Sequence, residues 1–531
     1  MRHAAVMTVG TALSRLTGFL RLTAMTATLG VTVSSLGSIY TVANLTPNIL
    51  YELILGGILT SVFVPVFVGR LETEGEDDAR DVADRVMTLV LVTLVVVAAL
   101  GALLAEPIIR LYLASSEAPD REAQVALGVF FLRWFMPQIV FYGVGAVAIG
   151  SLQAHRRFAA PMFAPILNNL VVIATFLTYA FVRGSRPPRV EGITTAEQTI
   201  LAVGTTLGVV AMTVALWPSL RSLGYRIRLN FGWRHVAVRR LARLATWVAL
   251  YVAANQLAYV LVIVLNNRFR AGPQIYATAF TVFQLPHAIF AVSIFTALLP
   301  GMSERWATGH PEGVRELVSR GLRDTAVVIL PAAAGLFALA EPIVRLLFEH
   351  GEALPRDSVA IARALQGFAV GLLFFATFQL LTRSYYAMQD TRTPALVNVG
   401  VACVNVAAAL FYVGPLDLGL RGMALAHATS YLVGATALLV LLQRRLGRID
   451  GPRIVRTVVK SAVAAAASAA TALAVATVWM PASGERSVLV HGARVTSAIA
   501  AGVLVFLATA LILRVGEVDE LRRTVLRRFR G

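Results

Sequence analysis

Residues 86–105 read VMTLVLVTLVVVAALGALLA, twenty consecutive residues without a charged side chain. A helix rises about 1.5 Å per residue, so a stretch of this length crosses the roughly 30 Å hydrocarbon core of a bilayer. A soluble protein seldom contains such a run, because its helices keep one polar face. The stretch therefore predicts a transmembrane helix.

The composition of the whole chain extends this prediction. Of 531 residues, 57% are hydrophobic and 14% are charged, whereas soluble domains have about 45–50% and about 25%. The single cysteine, Cys403, lies within an apolar run. A soluble core, a disordered chain and a disulfide-stabilised scaffold are therefore excluded. We expect a polytopic membrane protein.

Hydropathy predicts fourteen spans, and long continuous apolar runs favour helices over the alternating strands of a membrane barrel. The first run has no small-residue cleavage site, so we interpret it as a retained span and not as a signal peptide. The predicted fold class is an all-α polytopic membrane protein. The runs are 4–29, 36–68, 86–112, 125–150, 158–182, 196–222, 240–267, 274–302, 320–347, 358–386, 393–413, 419–443, 455–480 and 491–515.

Basic residues are distributed unequally between the two sides of the predicted membrane. The chain has 47 lysines and arginines against 29 acidic residues, a net charge of +18. An even number of spans puts both termini on one side, where 31 basic residues fall; 12 lie on the other side and four within spans. Because cytoplasmic loops collect basic residues, both termini are predicted to be cytoplasmic. The same bias explains the net charge, so we expect no nucleic-acid binding.

Sequence motifs recur at a nearly constant distance. Glu106-Pro-Ile-Ile-Arg-Leu is followed 235 residues later by Glu341-Pro-Ile-Val-Arg-Leu, and Pro65 is followed at the same distance by Pro300. A third pair of motifs has an offset of 233 residues. Spans 1–6 and 7–12 are therefore predicted to be two copies of one six-helix unit. Both copies have the same membrane orientation because six is even, which makes them a parallel repeat.

This repeat defines the predicted domains. Residues 1–222 form an N-terminal six-helix lobe, and residues 244–445 form a C-terminal one. The arginine-rich linker 223–243 contains aromatic residues and suits a helix that lies on the inner leaflet. Residues 446–531 add two membrane helices and a basic cytoplasmic tail.

Two arginines lie within the first predicted span. Arg15 and Arg21 are about 9 Å apart along the helix, and residues 22–51 contain no charged side chain. A charge within a span is costly and usually functional, and guanidinium groups bind phosphate oxygens through paired hydrogen bonds. We therefore predict that both arginines face a polar cavity and bind an anionic ligand. The alternative is that they extend to the membrane surface, most readily for Arg21.

One carboxylate, Glu52, lies near the middle of the second predicted span. It is a candidate proton site, because a hydrocarbon environment changes the proton affinity of a carboxylate. The alternative is that Glu52 is the buried partner of an arginine in the first span. Pro47, Gly56 and Gly57 predict a bent helix around it, a feature of substrate sites and gates in transporters.

Other residue types give weaker signals. His287 and His427 lie within spans, but a single membrane histidine is more often a packed residue than part of a proton relay. No Cys, His, Asp or Glu residues have metal-site spacing, and no glycine-rich phosphate-binding motif indicates drive by ATP. We therefore predict no metal, no cofactor and no catalytic residue.

Six motifs occur along the predicted spans and loops: Ser14-Arg-Leu-Thr-Gly-Phe-Leu-Arg21, Ala43-Asn-Leu-Thr-Pro-Asn48, Phe63-Val-Pro65, Ala154-His-Arg-Arg-Phe-Ala-Ala-Pro161, Leu167-Asn-Asn169 and Tyr385-Tyr-Ala-Met-Gln-Asp-Thr-Arg-Thr-Pro394. This set resembles the motifs of the MurJ/MviN lipid II flippases, which belong to the multidrug/oligosaccharidyl-lipid/polysaccharide exporter superfamily. Fourteen spans is also the number of that family.

The resemblance implies two six-helix lobes that face a central cavity, with spans 13 and 14 forming a lipid groove. It also implies that an undecaprenyl-pyrophosphate-linked disaccharide-pentapeptide is moved from the inner to the outer leaflet by alternating access. Arg15 and Arg21 match the essential first-helix arginines of the family.

The chain departs from the family pattern at three places. Ser38 replaces an acidic residue, Tyr51 and Glu52 replace paired arginines, and Thr281 takes the place of a cavity arginine. A less basic cavity than in better-known members is therefore expected. The candidate substrate-binding residues are Arg15, Arg21, Asn48, Glu52 and Arg268.

The sequence thus predicts a lipid II flippase of the cytoplasmic (cell inner) membrane that serves peptidoglycan biosynthesis and cell shape. The expected drive is the membrane potential or an ion gradient, about 2.3 kcal/mol per charge per 100 mV. Expected partners are lipid II and membrane lipids, with cell-wall synthesis and division proteins as further candidates. The alternative is an exporter of another lipid-linked oligosaccharide or of a drug. A membrane glycosyltransferase is disfavoured because the first outer loop, residues 30–35, carries no carboxylate.

Overall fold

The structure is a computed structural model in which most of the chain is described. Four predicted features lie outside the described residues: nearly all of the linker 223–243, Gly56 with Gly57, Pro65, and the basic tail after Val518. The described residues are 2–33, 35–55, 75–155, 157, 159–223, 230–231, 252–253, 255–478 and 488–518.

Every regular element in these ranges is a helix, as expected where backbone polar groups must be satisfied within one segment. The helices of the first half are α1 Arg2–Leu29, α2 Leu36–Leu55, α3 Glu76–Leu103, α4 Ala105–Tyr112, α5 Arg121–Phe135, α6 Gln138–Ala154, α7 Ala159–Arg183, α8 Thr195–Val214, α9 Trp217–Arg221 and α10 Asn255–Asn266. Those of the second half are α11 Gly272–Pro286, α12 Val292–Ala307, α13 Pro311–Ala338, α14 Ala340–Phe348, α15 Pro355–Val370, α16 Leu372–Ala387, α17 Arg392–Val413, α18 Gly419–Leu446, α19 Gly451–Val478 and α20 Val488–Ile512.

The predicted fold class is confirmed, but the count of fourteen spans is not. Ten described helical segments, three of which join two of these helices, are long and apolar enough to cross a membrane, and the pair α15 and α16, bent by 48°, makes an eleventh. They correspond to the predicted spans 3–6 and 8–14. Helix α1 is continuous over 28 residues but falls outside that set. The second and seventh spans are described only in part, as α2 and as the shorter apolar helix α10.

The repeated Glu-Pro motif ends a long helix in the same way in both halves. Helix α3 ends before Leu104, whose backbone has φ −88° and ψ 14°, and α13 ends before Leu339, with φ −100° and ψ 15°. Pro107 and Pro342 each lack an N–H and clash with the carbonyl four residues earlier, which interrupts the helix at this point. A short helix follows each break. The sequence repeat is therefore also a repeat of local structure.

Proline also changes the helix that contains His287. Helices α11 and α12 are joined without a break by a π-helical turn, His287–Ala291, directly after Pro286. A proline within a helix removes one hydrogen bond, and a wider turn is one way to accommodate it. His287 therefore lies at the irregular point of this long helix.

Contacts divide the chain into two compact units. Unit 1 is Met1–Gln274 with His350–Leu354, and unit 2 is Ile275–Glu349 with Pro355–Gly531. The predicted lobes were defined by sequence repetition and not by contact, so the boundaries 1–222, 223–243, 244–445 and 446–531 stay predictions.

Unit 1 has an aromatic core around Tyr40 of α2. Its ring packs edge-on against Phe131, Phe135 and Phe176 at centroid distances of 5.5–5.9 Å. The buried hydroxyl lies 2.8 Å from Thr205 Oγ1, so its polar atom is satisfied within the core. This core fixes α2 against α5, α7 and α8 and thereby positions the polar residues further along α2.

Candidate functional site

Helix α1 is fixed against α7 by small and polar residues. The Asn169 side chain donates to the Ser14 carbonyl at 3.2 Å and to Thr17 Oγ1 at 3.0 Å. A Cβ at Gly18 would lie 3.5 Å from Asn169 Nδ2. These contacts fix which face of α1 packs against α7. The directions of the other α1 side chains then follow from the helical rotation of about 100° per residue.

Arg15 points away from both the α7 contact and the exposed leucines of α1. Leu16 and Leu20 are 56% and 49% exposed and form an apolar face suited to lipid. Each residue turns the helix by about 100°, so Arg15 lies about 120° from these leucines and about as far from Ser14 and Thr17. Arg15 is itself exposed. It therefore occupies a separate face of α1 from the one that would contact lipid.

Arg21 lies on a different face from Arg15. Six residues rotate the helix by about 600°, which places the two side chains about 120° apart. Arg21 is half-buried, and its charge interacts with the hydroxyl groups of Tyr40 on α2 and Tyr142 on α6. The two arginines thus have different neighbours, although both lie within the predicted span.

Three polar residues follow one row of α2. Asn44, Asn48 and Glu52 are each four residues apart, so they share one face of the helix. Asn48 Nδ2 donates to the Asn44 carbonyl at 3.0 Å, and its side chain lies near the Tyr142 hydroxyl. Asn44 and Asn48 are half-buried and Glu52 is exposed. This row is a polar strip along an otherwise apolar helix.

The arginines and the polar strip lie at similar depths. Helices α1 and α2 are joined by residues 30–35, so their depths can be counted from that end at about 1.5 Å per residue. Arg21 then lies about 12 Å from the end, Asn48 about 18 Å, Arg15 about 21 Å and Glu52 about 24 Å. We call these four residues, of which Asn48 is the uncharged member, the mid-span charged band. These distances correspond to the middle of a hydrocarbon layer of roughly 30 Å whose surface is placed at residues 30–35.

The charges of this band do not neutralise one another. Within the described residues, no ion pair joins Glu52 to Arg15 or to Arg21. The paired arrangement considered for Glu52 is therefore absent from this conformation. Unpaired charges at this depth need water or a charged ligand.

The structure does not bring Arg268 to the other four candidates. Arg268 follows α10 and lines a cavity of about 550 Å³ in unit 1, together with Ser35, Ser38 and residues 116–120. This cavity lies at the end of α1 opposite its N-terminus, about 21 Å of helix rise from Arg15. Any role of Arg268 would therefore belong to a different stage or site from that of the mid-span charged band.

The structure also describes two of the positions where the chain departs from the family pattern. Ser38 is buried at the start of α2 and lines the same cavity as Arg268. Thr281 is exposed on α11 and donates its hydroxyl to the Ala277 carbonyl at 2.8 Å. Neither side chain carries a charge, so neither adds to the electrostatics of the band.

The two span histidines have aromatic neighbours, which agrees with a packing role. The His427 ring lies 4.7–5.8 Å from five aromatic centroids and is 6% exposed. His287 lies 4.6 Å from Phe375 and 5.9 Å from Phe295.

Sequence reasoning missed Tyr142 and Asn44. Tyr142 comes from α6, and only the fold reveals that its hydroxyl reaches Asn48 and the charge of Arg21. Asn44 could have been found from its four-residue spacing to Asn48 and Glu52, which is a readable polar row in an apolar helix.

In the part of the chain that the structure describes, every regular element is a helix, some helices are interrupted by proline, and the mid-span charges have no ionic partner. These features are those of polytopic membrane transporters. Comparisons with known proteins define the family. The profile of the family described as "Lipid II flippase MurJ" matches residues 25–491. The chain therefore belongs to the MurJ family of lipid II flippases, which are transporters and not enzymes.

Individual relatives agree with this membership. The probable lipid II flippase MurJ of Rhizobium meliloti (strain 1021) is 29% identical over 528 residues, which cover 97% of this chain and 94% of the relative. The lipid II flippase MurJ of Burkholderia cenocepacia is 28% identical over 448 residues, 83% of this chain and 84% of the relative.

Solved structures agree with the fold. One described as lipid II flippase MurJ in an inward closed conformation has a TM-score of 0.75 at 19% identity, covering 96% of this chain and 99% of its own. An inward-facing multidrug resistance transporter of the MATE family has a TM-score of 0.66 at 13% identity, covering 81% and 94%. The family and the transporter fold expected from the sequence motifs are thus confirmed.

Proposed function

We propose that this protein is a lipid II flippase that moves lipid II from the inner to the outer leaflet of the cytoplasmic membrane by alternating access. This step supplies peptidoglycan synthesis and hence the cell wall and cell shape. The observation that carries the proposal is the family profile match over residues 25–491. The mid-span charged band provides a physical site for the chemistry, since its arginines have no ionic partner among the described residues.

The physical obstacle is the headgroup. A pyrophosphate with its attached sugar and peptide cannot cross about 30 Å of hydrocarbon without replacing its hydration. Guanidinium groups match phosphate oxygens with paired, charge-assisted hydrogen bonds. Arg15, which is exposed and lies apart from the leucine face of α1, is the best-placed phosphate ligand. The polyprenyl tail would stay in lipid throughout.

The other members of the band have supporting roles. Arg21 adds positive charge beside the Tyr142 hydroxyl, and Asn48 with Tyr142 offers neutral hydrogen bonds to sugar or amide groups. Glu52 opposes the arginines in charge. A group can bias a conformational equilibrium only if it interacts differently with the two states, so Glu52 would act if it approaches an arginine in one state and not in the other.

The place of the protein in the cell follows from the same proposal. The family relationship and the basic-residue bias support the inner membrane with both termini on the cytoplasmic side. Reporter fusions at Gly531 and within residues 483–487 should therefore give opposite-side signals. Cell-wall synthesis and division proteins are proposed partners at the outer and cytoplasmic faces, because they act on the same lipid.

A depletion experiment tests the function. A strain whose own flippase is repressed would express either this chain or an empty vector, and an impermeant reagent would label lipid II on the outer leaflet of intact cells. We expect this chain to restore outer-leaflet labelling and growth. Correctly inserted protein with lipid II still accumulating on the inner side would contradict the proposal and would favour an exporter of another lipid-linked oligosaccharide or of a drug.

A further inference from the structure

Unit 2 contains a strongly basic cavity. Its volume is about 570 Å³, and six arginines with two acidic residues line it, a net charge of +4. It lies where the turn between α12 and α13 meets the turn between α18 and α19, which the basic-residue bias predicts to be cytoplasmic. We call it the arginine pocket; its arginines are Arg305, Arg315, Arg320, Arg323, Arg448 and Arg453.

Half of these arginines have no acidic partner within the described residues. Arg323 is paired with Glu517, and Arg305 lies 3.7 Å from Glu316. In contrast, Arg315, Arg448 and Arg453 form no ion pair in the described ranges. Like charges held close together are destabilising unless an anion or water compensates them.

The fold concentrates these charges through one glycine. Helix α18 ends at Gly447, whose φ of 81° is strained for any residue with a Cβ. A Cβ at this glycine would lie 3.6 Å from Arg315 Nη1. The left-handed turn therefore lets the chain pass close to α13 and places Arg448 and then Arg453 beside Arg315.

Neighbouring residues place the pocket at the depth of lipid headgroups. Trp306 lies next to the pocket residue Arg305, and its ring is 5.2 Å from the Arg445 guanidinium; tryptophan is enriched at this level of a membrane. On α19, exposed Val455, Val459 and Val463 form a four-residue row that begins two residues after Arg453. This row begins about 3 Å of helix rise beyond Arg453 but about 160° around the helix, so it marks the depth at which the apolar layer starts and is not a continuation of the pocket.

We propose that the arginine pocket binds the phosphate of an anionic phospholipid in the inner leaflet. Unpaired guanidinium groups supply the phosphate ligands, and the adjacent tryptophan and valines supply the interfacial position. Basic pockets between membrane helices on the cytoplasmic side suit lipid headgroups. A free phosphate has the same headgroup chemistry but no acyl chain, so the two sources can be separated by experiment.

The test compares lipids on the purified full-length protein in a neutral detergent. Thermal unfolding is followed while dihexanoyl-phosphatidylglycerol or dihexanoyl-phosphatidylcholine is added, because a ligand that binds the folded state raises the midpoint. We expect wild-type protein to bind the anionic lipid at least about tenfold more tightly. Equal binding of the two lipids would overturn the proposal.

Matched variants locate the effect. The pocket variant carries Arg315→Gln, Arg448→Gln and Arg453→Gln and should lose the preference for the anionic lipid. The control removes three charges from exposed arginines elsewhere and should keep the preference; equal loss in both variants would show a general charge effect and overturn the site. If the triple variant is unstable without lipid, Arg448→Gln alone should weaken the preference severalfold. The control substitutions are Arg189→Gln, Arg270→Gln and Arg421→Gln.

Two further ligands separate the possible sources of phosphate. Sodium phosphate at the concentration of the lipid should leave the unfolding midpoint unchanged, and an equal rise would identify a site for solution anions instead. Lipid II should not displace phosphatidylglycerol from the protein in a pocket-dependent way. If lipid II displaces phosphatidylglycerol from the wild-type protein but not from the pocket variant, the pocket is a substrate site. That result would overturn its assignment to a resident phospholipid.

Discussion

The two units contain the same sequence repeat but have different interiors. At the 235-residue offset of the Glu-Pro motifs, Arg21 corresponds to Gln256 and Glu52 to His287, and residues 271–303 contain no charged side chain. Unit 1 places charges at mid-span. Unit 2 instead packs Phe280, Phe283, Phe368, Phe375 and Tyr431 around His427.

This difference separates what the repeat provides from what function requires. The repeat supplies helix lengths, the proline-dependent breaks and the orientation of each copy. At the positions equivalent to Arg21 and Glu52, the second copy has uncharged residues, and its helices there pack around an aromatic core. We therefore propose that the substrate headgroup binds in unit 1, which can be tested by changing each interior separately.

The largest expected effect comes from Arg15→Ala. Losing paired charge-assisted hydrogen bonds of about 1.5–3 kcal/mol each should lower transport by at least about a hundredfold, so a flippase-depleted strain should fail to grow. Arg15→Lys keeps the charge without the planar fork and should have an intermediate effect. Growth and membrane insertion are measured together.

The matched control for Arg15 is its exposed neighbour on the leucine face, Leu16→Ala. That substitution should support normal growth, because the side chain is uncharged and 56% exposed. Normal growth of the Arg15→Ala strain at ordinary expression would remove this arginine from the substrate site.

Arg21→Gln gives unit 1 the residue type found at the corresponding position of unit 2. We expect a smaller loss of transport than for Arg15→Ala, about tenfold, because Tyr142 and Asn48 keep part of the hydrogen-bonding capacity at this depth. The initial rate of lipid II transfer at a fixed amount of inserted protein measures the effect. An unchanged rate would restrict the charged band to Arg15 and Glu52.

Glu52→Gln keeps the shape of the side chain and removes its charge. If the charge biases the transport cycle, transfer should slow and its dependence on pH should become flatter, with expression unaffected. The rate is measured across a pH series for both proteins. Wild-type rates with an unchanged pH profile would make Glu52 an ordinary polar residue of the helix surface.

Charges of unit 2 that lie outside the spans are expected to stabilise the fold. Burial alone would raise the pKa of Asp390, but hydrogen bonds from Thr393 and the nearby Arg445 charge outweigh it and lower this pKa. The Arg445 guanidinium lies 2.6 Å from the carboxylate. Because the folded-state pKa is lowered, this stabilisation is present above the unfolded-state pKa of about 3.9 and is lost as the pH falls below it.

Asp390→Asn should therefore lower the unfolding free energy by about 1–2 kcal/mol at pH 7. The difference from wild-type protein should disappear as the pH falls below about 3.9. Thermal unfolding in detergent at several pH values measures both quantities. A difference that does not depend on pH would show that packing, and not charge, is responsible.

The smallest effect is expected in the aromatic core of unit 2. His427 Nδ1 is buried and accepts or donates no hydrogen bond within the described residues, so His427→Phe removes a polar atom at little cost. The unfolding free energy should change by less than about 1.5 kcal/mol, and transport should be unchanged. Lost transport in a well-folded His427→Phe protein would show that unit 2 also carries a functional group.

Apolar runs predicted most helices because crossing a bilayer requires about 20 apolar residues in sequence. The breaks within those runs were not predicted. Span 4 is divided next to Pro137, and span 10 bends at Gly371, where a Cβ would lie only 2.6 Å from the Ala428 backbone. That close packing against α18 is a tertiary property, which hydropathy does not contain.

The sequence predicted the charged residues of the candidate site but not the residues that surround them. Arg15, Arg21 and Glu52 were visible because charges within apolar runs are rare. Their environment was not, since it depends on α6 and α7, which are distant in sequence. Arg268 illustrates the limit: it is basic and close to the end of a span, but the fold places it in a separate cavity.

The central claim is that this chain moves lipid II and that the charge of Arg15 is required. Purified wild-type and Arg15→Ala proteins can be reconstituted in vesicles that contain lipid II with a fluorescent label on its peptide, and an impermeant quencher is then added outside. With wild-type protein, the label that starts on the inner leaflet should become accessible and be quenched. With Arg15→Ala, that fraction should stay protected, as in protein-free vesicles. Equal protection with wild-type protein and without protein, or equal quenching by both proteins, would contradict the account.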